Sequence, residues 1–352
     1  MSNYTSVQKG VILKKYRTAR GVFENRKNAE TIIGKPFKVD GALFDMQKER
    51  MNARRELEFY KRNRIEVIDI EHSLYPDRLR NIPDPPIVIF AAGKISLLSQ
   101  GVPVGIVGSR KASNGGLNLA YSVARELSQS DVTVVSGLAS GIDSFAHRGA
   151  LDGNGNTVAV LGNGIDIVYP KENRAVYERI RRNGVLVTEF PLGTHPLKWN
   201  FPKRNRIISG LSVGVLIVEA ALTSGALITA QFALDQGREV MAFPGRAASE
   251  NFGGNNRLIK QGAHLVENAD EILEIIGQEV KEPEKRRRTQ FTSLEHDILQ
   301  VIGDDRVSLE EIEKVIKKPI SKVLSALIML ELKNEVVRYP GKIFSRVSYY
   351  GE

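Results

Sequence analysis

Between residues 104 and 266 the chain repeats one pattern, a short run of apolar and mostly β-branched residues followed by about a dozen residues at helical spacing. The runs fall at 104–107, 132–135, 157–161, 185–188, 214–218, 239–243 and 263–266. Several are apolar throughout rather than alternating, as in VTVV, TVAVL and GVLIV, which is the pattern of strands covered on both faces. Strands that alternate with helices build βαβ units and a parallel sheet. The predicted fold is therefore α/β, with a doubly wound, mostly parallel, Rossmann-like sheet of seven strands.

The flanks read differently. Residues 1–64 form a basic segment of short helical stretches, clearest in FDMQKERMNARRELEFYKRN. Residues 65–98 bridge into the sheet; the prolines of NIPDPP forbid helix there, and the following IVIF suits a strand. Helical spacing at 269–277 closes the large domain, assigned to 65–277, and the charged, aperiodic stretch 278–290 reads as a linker. Residues 291–352 hold three amphipathic helices, 294–302, 309–316 and 320–332, then VVRYP and KIFSRV around a Pro-Gly turn. Three helices and a hairpin in so short a span predict a small winged-helix domain.

Composition narrows the class without changing this outline. The 352 residues suffice for two or three domains, and no apolar run approaches the roughly 20 residues of a membrane helix. The first residues, MSNYTSVQKG, lack the apolar core of a secretory signal, and the absence of cysteine excludes disulfides, thiolate metal sites and a Cys nucleophile. A cytoplasmic protein with no membrane partner is expected. Its net charge of +9 points to a polyanion, but the charge is uneven. Residues 1–64 carry 16 Lys/Arg against 7 Asp/Glu, residues 291–352 carry 9 against 10, and the large middle segment is nearly neutral. An anion site in the middle must be local, and the winged helix is poor in the cations that phosphate binding needs.

In open parallel sheets, ligands bind beyond the carboxyl ends of the strands. The polar turns that follow the strands are therefore the candidate site. After the first strand comes Gly108, Ser109, Arg110, Lys111 and Ser113; after the second, Gly137, Ala139, Gly141 and Asp143; after the third, GNGIDIVYPKEN with Lys171. The fourth is followed by Lys198, Trp199, Asn200, Phe201, Lys203, Arg204, Asn205 and Arg206, the fifth by Ser224 and Gly225. Glycine admits close backbone approach and positive φ, hydroxyls and amides donate, and Arg or Lys supplies charge. Together these turns predict an extended anion-binding rim.

The first turn lacks G-x-G-x-x-G, no Gly-Lys-Ser or Gly-Lys-Thr occurs, and neither H-E-x-x-H nor G-x-S-x-G is present. No dinucleotide, P-loop nucleotide, metal or other cofactor is expected, and no catalytic residue is assigned. The five histidines read as structural, and Asp143 as a helix cap. A rim with spaced cations and an aromatic beside them fits single-stranded nucleic acid, in which phosphates track a basic groove and bases stack on rings. Phe201 and Trp199 are the candidate rings, with burial in the core the competing reading for each. Arg204, Arg206 and Arg110 are expected to reach phosphates; an internal ion pair of Glu219 with Arg204 or Arg206 is the alternative.

The segments GIVGSRKASNGG, VVSGLASGIDSFAHRGAL, VAVLGNGIDIVYPKENR, NFPKRNRIISGLSVGVLIVEA, SGALITAQFALDQGREVMAFPG and GGNNRLIKQGAHLV together resemble the bacterial DNA-processing protein A family (DprA, also called Smf). The likeness runs from about residue 65 to 277. It implies a Rossmann-like protein without known catalytic activity that binds single-stranded DNA, dimerises through that domain, and helps load a RecA-type recombinase in natural transformation. The family's DNA contacts carry over onto Ser109, Arg110 and Lys111, the Gly137–Gly141 turn, residues 198–206, and Ser224 with Gly225; Asn255 and Asn256 lie in the last of these motifs. Two departures stand out. Ala226 replaces the serine usual in G-S-L-I-T-A, and residues 1–64 resemble only the later part of a helix-hairpin-helix-like unit. A nucleotide-binding enzyme of the phosphoribohydrolase type is the competing function, with Glu219 as its one available carboxylate.

Overall fold

The computed structural model describes residues 46–247, 249–278, 291–303, 307–332, 335–339 and 341–346, in two compact units that divide after residue 279. The expectations for residues 1–45 and for the linker beyond residue 278 lie outside the described residues. In the first unit the strands are β1 (Ile65–Asp69), β2 (Val88–Gly93), β3 (Val102–Val107), β4 (Val132–Ser136), β5 (Thr157–Val160), β6 (Val185–Thr188), β7 (Gly214–Ile217), β8 (Glu239–Ala242) and β9 (His264–Leu265). The helices are α1 (Met46–Arg62), α2 (Asp77–Arg80), α3 (Asn114–Gln129), α4 (Ile142–Asp152), α5 (Arg174–Asn183), α6 (Asn200–Leu211), α7 (Ala226–Asp235), α8 (Gly253–Lys260) and α9 (Ala269–Ile275).

The strands form one sheet in the order β1-β2-β6-β5-β4-β3-β7-β8-β9. From β6 to β9 all neighbours are parallel, and these are the seven runs predicted from the sequence. Every residue of β4, β5, β6 and β7 is buried, which is why their sequences do not alternate. Successive side chains point to opposite faces: Val158 and Val160 join one core with Ile207, Ile208, Leu211 and Ala230. Ala159 and Leu161 join the other, with Val176, Tyr177 and Ile180.

β1 and β2 extend the sheet in the antiparallel sense. β1 was not among the predicted strands. It is an edge strand whose Glu66, Val67 and Asp69 face solvent while Ile65 and Ile68 are buried, so it has no continuous apolar run to betray it.

The second unit contains α10 (Ser293–Ile302), β10 (Val307–Ser308), α11 (Leu309–Ile316), α12 (Ile320–Leu332), β11 (Val336–Tyr339) and β12 (Ile343–Arg346). The strands pair antiparallel in the order β10-β12-β11, the small sheet of a winged helix. Capping boxes start two helices, Thr292 with Glu295 and Ser308 with Glu311, satisfying donors that the first turn leaves open. Ile298, Leu299, Ile312, Leu327, Leu330 and Phe344 form its core.

Candidate nucleic-acid interface

β3 lies between β4 and β7, so the chain reverses direction across the sheet at the carboxyl ends of β3 and β7. In Rossmann sheets this crevice receives a phosphate on the N-terminus of the helix after the first strand. Here the position is filled from within. The fully buried Glu219, two residues past β7, accepts hydrogen bonds from the Ser113 N–H at 2.9 and 3.1 Å and from the Ser113 hydroxyl at 2.6 Å. Its own carbonyl accepts from the Ser109 N–H at 2.7 Å. Gly116 is obligatory, because a Cβ there would collide with the carboxylate. A negative group at a helix N-terminus is favourable, and this one leaves no room for another. The alternative reading, an ion pair of Glu219 with Arg204 or Arg206, is thus corrected: its partner is the start of α3, and Ser113 is committed to it.

Beside this crevice, the turns after β3, β4 and β5 enclose a cleft of about 100 Å³. The first two are stitched together by the Ile142 N–H donating to the Ser109 carbonyl at 3.2 Å. Gly141 holds φ +80, and a side chain on it would strike that same carbonyl. The Asn173 amide donates to the carbonyls of Leu138 and Ala139 at 3.0 and 3.3 Å, fixing the turn's other limb. Gly108 packs on Ile142, where a Cβ would come within 2.6 Å.

The cleft brings together Arg110, Gly137, Ala139 and Phe201 from the predicted set, with Gly162, Tyr169 and Glu172 added. The half-buried Phe201 ring lies on Gly162, where a Cβ would be only 2.8 Å away. The Arg110 guanidinium stands 5.1 Å above its centre and the Tyr169 ring 5.5 Å to the side. An arginine over an aromatic face is attracted by the ring quadrupole. Arg110, Lys111, Lys171 and Lys198 are exposed, with no ion pair among the described residues. Trp199 is 69% exposed, so the core reading does not hold for it. Lys203 is exposed but lies 3.2 Å from Glu189 and over Phe190.

The two arginines of the KRNR cluster behave otherwise. Arg204 is buried and donates to the Gly137 carbonyl at 2.6 Å and to the Val160 carbonyl, tying the ends of β4 and β5. Burial lowers its pKa to about 10 despite the favourable charge of Asp143. Asp143 is itself buried and accepts from the Gly137 N–H at 3.1 Å. It therefore braces the preceding turn, where a helix cap was expected; burial raises its pKa against the pull of Arg204. Arg206, its side chain 4% exposed, pairs with Asp84 and Glu189 at 2.9 Å each. The expectation that Arg204 and Arg206 extend to phosphates is corrected on this geometry: both guanidinium groups point inward and are already engaged. Asn200 is likewise buried, its amide on the His195 carbonyl at 3.3 Å.

The family model for DNA recombination-mediator protein A matches residues 66–277, and that for the DprA winged helix domain matches residues 282–342. The chain belongs to the DprA family. It is 42% identical over 220 residues to the DNA processing protein DprA of Bacillus subtilis, covering 62% of this chain and 74% of that one. To protein Smf of Escherichia coli it is 38% identical over 284 residues, 78% and 76% of the two chains. The X-ray structure of DNA processing protein A from Streptococcus pneumoniae superposes with a TM-score of 0.63 at 32% identity, over 78% of this chain and 94% of that one. A Helicobacter pylori DNA processing protein A structure, described for its single-stranded DNA binding mode, gives 0.55 at 27% identity over 60% and 95%. The DprA likeness thus spans both units, and DNA processing is the family's role.

The remaining residues of the DprA motifs sit along the β7 and β8 ends. Asn205 reaches toward the Gly225 carbonyl at 3.5 Å, joining the two halves of the rim. The Ser224 hydroxyl accepts from the Ala226 N–H at 3.3 Å. Asn255 is wholly buried and binds backbone of Ile217, Val218, Ala220 and Phe243. Its role is to clamp β7 to β8. Asn256 bonds Gly245 in both directions. Tyr169, Gly162 and Glu172 lie in or beside the glycine-rich third turn, yet no predicted role singled them out. Among the described residues no acidic and histidine cluster is placed to hold a metal, and no helix is long and apolar enough to cross a membrane.

Proposed function

We propose that this DprA-family chain binds single-stranded DNA along the carboxyl edge of its large sheet. We further propose that it acts as a homodimer formed through the Rossmann-like domain, protects incoming DNA, and delivers it to a RecA-type recombinase in natural transformation and homologous recombination. The observation that carries the DNA reading is the Arg110–Phe201 pair in the cleft, an exposed cation and a ring beside Lys111, Lys171 and Lys198. A base enters the cleft against Phe201 while those cations take the flanking phosphates. The single-stranded DNA binding described for the Helicobacter pylori relative supports the same reading. An enzyme of the phosphoribohydrolase type is disfavoured, because its one candidate carboxylate, Glu219, is spent capping α3.

The test is a gel shift that compares oligo-dT, duplex DNA and mononucleotide competitors. Preference for the single strand is expected. The Arg110→Ala and Lys198→Ala double variant should bind more weakly, and its log–log salt slope should fall by about 0.7 for each phosphate contact removed. Unchanged affinity and slope in a folded double variant would overturn the assignment.

A further inference from the structure

The cleft that holds Arg110 and Phe201 also holds a carboxylate, which the phosphates of a bound strand would repel. Glu172 lines it and accepts from the Ser140 hydroxyl at 3.0 Å through one oxygen. Its second oxygen accepts nothing among the described residues, and no cation pairs with it there. Asn163 lines the same cleft and is only 2% exposed. Its amide donates to the carbonyls of Gly164 and Ile167 at 2.9 and 2.6 Å, which fixes the amide's orientation and leaves Oδ1 to accept. Of the polar side chains lining the cleft, Glu172, Asn163 and Ser140 therefore offer acceptors, and donors come only from Arg110 and Tyr169.

We infer that the cleft selects guanine among the bases of the bound strand, an inference that rests on the DNA reading above. Bases of single strands are read on their pairing edges, and guanine alone sets two N–H groups side by side there, N1–H and N2–H. A carboxylate accepts both at once, and Asn163 Oδ1 is an acceptor for the remaining N2 hydrogen. Adenine and cytosine present an exocyclic amine beside a ring nitrogen that is itself an acceptor, and thymine presents a single N–H between two carbonyls. Each of these turns a lone pair toward the carboxylate. The bond to Ser140 alone does not require a charge at position 172, since an amide oxygen would accept the same hydroxyl. The charge lowers affinity for the strand as a whole and returns it at one base.

The test uses the full chain with labelled oligo-dT, and as competitors short oligo-dT strands carrying one central guanine, inosine, adenine or cytosine. The guanine strand should compete at least about fivefold better than unsubstituted oligo-dT. Inosine, which stacks alike but lacks the N2 amine, should lose most of that gain, and adenine should stand close to thymine. In Glu172→Gln the guanine preference should disappear while oligo-dT affinity is retained or raised and Tm is unchanged, a pattern that a purely structural clamp on Ser140 would not give. Equal competition by all the strands overturns the inference, as does a preference for cytosine or one that survives Glu172→Gln. A preference shared by adenine also overturns it and assigns the effect to purine stacking. All of these outcomes leave single-strand binding standing, whereas failure of oligo-dT itself to bind removes both readings.

Discussion

Replacing Arg206 by methionine separates its structural role from the DNA contact its sequence position suggests. The substitution removes a guanidinium that bridges Asp84 and Glu189 at 2.9 Å each, while the Glu189 side chain is only 9% exposed. Removing one partner of a buried pair costs about 3–5 kcal/mol, mostly because the other charge is stranded. Lys203 still stands 3.2 Å from Glu189, which places the loss at the lower end, about 3 kcal/mol. For a domain of this size each kcal/mol moves Tm by about 2–4 °C, so a fall of about 6–12 °C is expected in a circular-dichroism melt. Adding Glu189→Gln removes the stranded charge and should recover part of the loss, with non-additivity that a double-mutant cycle would measure. At a temperature where the variant is folded, oligo-dT affinity should stay within about twofold of the parent, roughly the 0.4 kcal/mol limit of additive, distant effects. A variant that melts with the parent yet binds DNA at least about tenfold more weakly would refute this reasoning and return Arg206 to the interface.

Three further outcomes follow from the same geometry. Phe201→Ala should weaken oligo-dT binding by about 1–3 kcal/mol, the worth of one stacked base, with Phe201→Tyr largely retaining it; fluorescence anisotropy reads both. Gly141→Ala forces a Cβ onto φ +80 and into the Ser109 carbonyl, so a loss of at least about 1–3 kcal/mol is expected in urea unfolding, together with weaker DNA binding as the cleft turn shifts. His147 is buried against Thr157, and burial, aided by Arg204, lowers its pKa from 6.5 to about 3. Between those values the unfolded chain binds the extra proton, so stability is full above pH 6.5 and declines as pH falls toward 3. The slope is at most about 1.4 kcal/mol per pH unit, and denaturation against pH should show it flattened in His147→Gln.

The parallel sheet was legible because its central strands are buried on both faces, leaving unbroken apolar runs at regular spacing. β1 was not, since an edge strand exposes most of its residues. At the site, residue type located the turns but not the direction of the side chains. Arg110 and Arg204 are both arginines in polar turns, yet one lies over an exposed ring and the other hydrogen-bonds strand ends inside the protein. That difference comes from where α6 crosses the sheet, a long-range property without a local signature. Asn255 misled for a related reason: four backbone groups brought together from β7, β8 and their turns decide its role, and none is its neighbour in the chain. Glu219 could be picked out as an acid just past a strand end, but its partner, Ser113, lies more than 100 residues earlier.

The carboxylate seated on α3 has a consequence for how the protein meets the cell. A fold usually tuned to the abundance of small cofactors here carries its own permanent occupant at the spot where they dock. Neither the redox ratio nor the energy charge has a handle on the molecule through that position, and no surface substitution alone would give it one: Glu219 itself would have to go, and a buried strand end would be rebuilt with it.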